Sequence, residues 1–129
     1  MASSFGIYSF IEQVQSPPSA TVIIERSSSN IEVAIESFDS PAVRCAMKKK
    51  KAVADWKSIV DGVLMDWNYD GKAFRIDFAD VPAKPEHSVK GKYRFSSAGR
   101  VAVKIIDVLG NEHFFVETDG SNLDRSNCA

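Results

Sequence analysis

Residues 101–116 read VAVKIIDVLGNEHFFV. Val101, Val103 and Ile105 on one side of Gly110-Asn111, and Phe114, Phe115 and Val116 on the other, are types that suit a pleated, half-buried surface. Gly110-Asn111 readily takes positive φ, so the pattern predicts a hairpin that reverses within those two residues and closes a β-sandwich. Val101, Val103 and Ile105 are the expected core positions. The stretch sets the fold class and carries no chemistry.

Further strands are expected at 20–25, 31–38, 60–68, 73–80 and 88–95, with polar turns between them. In 31–38, Ile31, Val33 and Ile35 alternate with Glu32, Ala34 and Glu36, as in a strand with one wet face. Apolar residues at 42–59 fall at roughly helical spacing and predict a short helical insertion. Seven strands with regular turn signals indicate a mainly β fold, an immunoglobulin-like sandwich, with Trp67 as its buried tryptophan. The domain is expected at 20–117. An N-terminal arm at 1–19 ends in the stiff Pro17-Pro18 break, and a polar flexible tail spans 118–129.

With 129 residues the chain is one domain's worth, and 44% apolar and 26% charged residues are ordinary for a globular protein. A net charge of −1 supplies no global field toward nucleic acid or lipid, so any such binding needs a local patch. Cys128 falls in the polar tail, which argues against a structural disulfide; Cys45 is expected as a lone buried cysteine. The start lacks a secretion-signal pattern, and no run reaches the 18 or so apolar residues of a membrane helix. A cytoplasmic location without membrane contact is the expectation.

Asp66-Trp67-Asn68-Tyr69-Asp70-Gly71 matches the D-x-N-x-D-G opening of a calcium loop, with Asp77 at the closing position. As a metal site it would use Asp66, Asn68, Asp70 and Asp77. The flanks read as strands, and aspartate is shorter than the usual closing glutamate, so a turn bonding local backbone is preferred. Lys48, Lys49, Lys50 and Lys51, with Arg44 before them, form the strongest basic run and are the candidate DNA phosphate contacts. Lys84, Lys90, Lys92, Arg94, Arg100 and Lys104 form a second group, broken only by Glu86. Such runs also serve to solvate a surface or blunt a sheet edge. His87 and His113 neighbour no nucleophile in sequence, and no phosphate loop, zinc spacing or nucleophile elbow occurs. The residues therefore point away from an enzyme and require no cofactor.

The segments 66–74 (DWNYDGKAF) and 101–112 (VAVKIIDVLGNE) give the run 59–117 a resemblance to the C-terminal region of adenine-specific DNA methyltransferases. These are the restriction-modification enzymes similar to type III modification subunits. Residues 37–41, followed by the lysine run, fit the same pattern more loosely. The family's D-P-P-Y-like catalytic motif and glycine-rich cofactor site are both missing. The resemblance thus implies an accessory domain that transfers no catalytic residue. Its expected role is a non-catalytic interaction module of a DNA-modification system, touching DNA or a methyltransferase or helicase subunit. The alternative is a stand-alone protein–protein module that homodimerises or pairs through a sheet edge.

Overall fold

The computed structural model describes residues 17–117, apart from 29, 52, 84, 85, 97 and 98. Seven strands form two antiparallel sheets: β1 (Ser19–Ser27), β2 (Asn30–Asp39), β3 (Val60–Asp66), β4 (Phe78–Asp80), β5 (Lys92–Ser96), β6 (Ala102–Asp107) and β7 (Glu112–Val116). The order is β1-β2-β5 in one sheet and β4-β3-β6-β7 in the other. In immunoglobulin terms β1, β2 and β5 stand for A, B and E, and β3, β6 and β7 for C, F and G. β4 pairs with β3 instead of extending the β5 edge as strand D would.

The alternation seen in the sequence builds the core. Ile31, Val33 and Ile35 are buried on β2, and Val63, Met65, Val103 and Ile105 face them from β3 and β6. Register agrees, with Val63 opposite Ile105 and Met65 opposite Val103 on the inner face. Each such aliphatic side chain taken out of water contributes about 1.5–3 kcal/mol. Polar clasps hold the sheets together on both flanks. Arg26 of β1 donates from Nε and Nη2 to Glu117 just past β7, both at 2.7 Å. On the opposite flank the Tyr93 hydroxyl of β5 donates to Asp80 of β4 at 2.6 Å.

Several expectations need correction. The closing turn is not Gly110-Asn111 but the three residues Val108, Leu109 and Gly110. Asp107 N donates to Asn111 O and Gly110 N to Asp107 O, with Gly110 at φ +89°. This is a three-residue loop closed by a residue of positive φ, and Asn111 belongs to the closing pair. The cause is Asp107, whose Oδ1 accepts the amides of both Leu109 and Asn111 and thereby shapes the longer loop.

The expected strand 73–80 shrinks to Phe78–Asp80. Carboxylates draw residues 67–77 into an arc instead: Asp66 takes the amide of Arg75, and Asp77 takes that of Trp67. Trp67 lies past the end of β3 and is only half-buried, not the central-strand tryptophan expected. The helical insertion is present as expected, in two short pieces, α1 (Pro41–Ala46) and a 3-10 turn (Trp56–Ile59). Cys45, on α1, is exposed rather than buried. Residues 1–16 of the expected arm, and the tail 118–129 with Cys128, lie outside the described residues.

Candidate binding surface

Ser40 starts α1. Its Oγ accepts the amide of Val43 at 3.3 Å and donates to Asp107 Oδ2 at 2.6 Å, so one hydroxyl caps the helix and ties it to the hairpin turn of the other sheet. Pro41 at the first position fits where no amide bond is needed. The helix ends with Lys49 N bonded to Arg44 O and Lys48 N to Cys45 O, the paired bonds of a Schellman motif. Lys48 occupies the left-handed position usually given to glycine, at φ +57°. Lys48→Gly is therefore expected to stabilise the fold by about 0.5–1 kcal/mol. A urea midpoint that does not rise would contradict a backbone cost at this position.

The four lysines 48–51 are all exposed. Arg44 plays another part. Its Nε and Nη2 reach Asp39 Oδ1 and Oδ2 at 2.8 and 3.1 Å, and its Nη1 donates to the carbonyl of Lys50 at 3.2 Å. The guanidinium fork is spent on bracing the loop rather than presented to a partner. Asp39, whose role the sequence did not reveal, anchors the brace across five positions of chain.

The second basic group does not stay together. Lys104 projects from the outer face of the four-stranded sheet, 4.7 Å from the Phe74 ring and 3.8 Å from Glu112. Phe74 and Tyr69 meet Phe114 edge-on there, and Phe114 remains 43% exposed. Arg100 is exposed in the loop before β6. Lys90, Lys92 and Arg94 instead line the β5 flank, and Gly91 lets that chain pass beneath Trp56, where a Cβ would meet the indole at 3.2 Å. Lys84 lies outside the described residues. On the outer face of the three-stranded sheet, Glu25 stands directly opposite Glu32, with Arg94 on the next strand.

The calcium-like loop is held by its own backbone bonds. Asp66, almost wholly buried, accepts the amides of Asn68 and Arg75, and Asp70 Oδ1 accepts those of Lys72 and Ala73. The Lys72 and Ala73 amides lower the Asp70 pKa, with a smaller contribution from the charge of Arg75. The Asp70 bonds are those of the turn reading, while Asp66, rather than the Asn68 side chain, makes the others. Among the described residues no group of three or more histidine, cysteine or acidic side chains is placed to hold a metal ion. His87 is exposed, and the half-buried His113 ring contacts the Pro18 carbonyl at 3.2 Å.

Comparisons with protein families, with curated proteins and with solved structures give no match. Among the described residues, no helix is long and apolar enough to cross a membrane.

Proposed function

We propose that this chain is a non-catalytic binding module that contacts nucleic acid phosphates through the loop after α1, in the accessory role its resemblance to DNA methyltransferases implies. The observation that supports this reading is the lysine loop: four consecutive exposed lysines on a backbone fixed by a helix-terminal motif and by the Arg44–Asp39 brace. A fixed backbone lowers the ordering cost of binding, and the lysines supply charge that is not consumed by carboxylates on the loop itself. Contact of this kind positions a partner on a duplex without reading its sequence.

The test is fluorescence anisotropy with a DNA duplex across a salt series. If all four lysines meet phosphates, log K falls against log salt with a slope of about −3 to −4. Changing Lys48–Lys51 to alanine should remove most of that slope and weaken binding at least roughly tenfold at about 50 mM salt. Absence of binding at that salt, or binding unaffected by the fourfold change, rules the reading out.

A further inference from the structure

On one flank of the sandwich two strand edges lie side by side, β4 of one sheet and β5 of the other, joined by the Tyr93–Asp80 bond. Between them opens a groove of about 220 Å³. Its floor is aromatic. Trp67 stacks with Phe95, with centroids 4.7 Å apart, and with Phe78 at 6.1 Å. Its rim is cationic, formed by Lys90, Lys92 and Arg94.

The edge of β5 has a defined polarity. Ile35 N donates to Gly91 O, and the register pairs Val33 with Tyr93 and Ile31 with Phe95. Antiparallel ladders alternate, so Tyr93 and Phe95 turn their backbone groups toward β2. The N–H and C=O of Lys92 and Arg94 then point outward. Among the described residues, neither residue takes part in a backbone hydrogen bond outside its strand. Lys90 already follows this pattern, its amide donating outward to Asp80 Oδ2 at 2.8 Å.

Charge decides the kind of occupant. Asp80 is committed to Tyr93 and Lys90, and Glu32 sits 4.0 Å from Lys92 and 3.7 Å from Arg94, leaving those side chains 69% and 72% exposed. The flank therefore presents three cations against two carboxylates. Glu32 is loosely paired, and the bonds Asp80 takes from a hydroxyl and a backbone amide leave its charge in place, so one positive charge is in excess. A single-stranded nucleic acid would need open ring faces, yet the Trp67 ring is already stacked with Phe95 and Phe78.

We propose that this flank accepts an extended acidic segment of a partner polypeptide as a further strand on β5. Its backbone pairs with the outward groups of Lys92 and Arg94. Side chains on the side of Tyr93 and Phe95 enter the aromatic groove and are apolar, while those on the side of Lys92 and Arg94 are acidic. The recognised sequence thus alternates apolar and acidic residues. This is a second interface, separate from the lysine loop.

The probe is a fluorescently labelled peptide alternating glutamate with valine, titrated with the full chain. The K92E/R94E double variant should weaken binding at least about tenfold, and alanine at Lys48–Lys51 should leave it unchanged. Both altered side chains are exposed, and near-ultraviolet circular dichroism verifies that the double variant is folded. A second measurement needs no variant. Of two peptides N-methylated at alternate residues, only the one blocked on the β5 side should lose binding, by roughly tenfold. Equal tolerance of both methylated peptides overturns the proposal. So does dependence on the lysine loop, or tighter binding at this flank by a single-stranded oligonucleotide.

Discussion

Asp107→Ala is expected to destabilise the protein by about 3–4 kcal/mol, lowering its thermal midpoint by roughly 10–20 °C. Asp107 is fully buried at the end of β6. Its Oδ2 takes the Ser40 hydroxyl at 2.6 Å, its Oδ1 takes the amides of Leu109 and Asn111 at 2.9 Å each, and the Asn111 side-chain amide donates to both oxygens. Truncation strands the buried Ser40 hydroxyl and two part-buried backbone amides at once. An unmet buried donor costs about 1–3 kcal/mol, and the amides, which water can reach, cost less each. The loss also spreads, because the same carboxylate shapes the hairpin turn and orients the cap of α1. Asp107→Asn retains an acceptor for the turn amides, and Ser40 can rotate to accept from the new amide, so a smaller cost of about 1–2 kcal/mol is expected. Ser40→Ala removes the cap and one of the bonds and should cost about as much. Urea unfolding of the three variants tests the ranking. A cost below about 1 kcal/mol for Asp107→Ala would show that the turn and helix stand without this carboxylate.

Glu117→Gln should cost about 2 kcal/mol at neutral pH and almost nothing in acid. Burial pushes the Glu117 pKa upward. The hydrogen bonds from Arg26 and the Val101 amide, with the charges of Arg26 and Arg100, outweigh that effect and hold the carboxyl below its ordinary value. A carboxylate whose folded pKa is depressed stabilises the native state above its unfolded pKa, about 4.3 for glutamate. That stability is lost as pH falls through the lower, folded value. The native protein should therefore weaken in this window, while the glutamine variant, which has no proton to gain at this site, weakens less. Arg26 is 39% exposed at its side chain, so solvent screens part of the attraction and limits the neutral-pH figure. Paired urea titrations at about pH 7 and about pH 3 measure the difference. A gap between native and variant proteins that persists undiminished in acid contradicts the assignment.

Much of the architecture was legible because two-residue periodicity reports burial directly. Ile31, Val33, Ile35, Val103 and Ile105 repeat every second residue, and all are buried. The turn between β6 and β7 was legible in kind but displaced. Gly110 announced positive φ, yet the loop length was set by Asp107, a residue that reads as an ordinary strand end until its acceptors are counted. Residues 73–77 misled for a related reason: their composition suits a strand, while the carboxylates of Asp70 and Asp66 take the amides of Ala73 and Arg75 in place of a neighbouring strand. Arg44 shows the same limit on the surface, since its bond to Asp39 depends on where a helix begins relative to the end of β2.

The amino-acid pattern by itself determined the seven strands, the two-sheet core and the exposed lysine run. Side-chain alternation and chain reversal are local properties, decided within a few residues. Only the tertiary structure decided which charges act together. It separated Lys104 from Lys90, Lys92 and Arg94, made Arg44 a brace, and set the β5 edge beside an aromatic groove. Those groupings depend on strand order and register, which bring together residues far apart in the chain, and no short-range pattern encodes them.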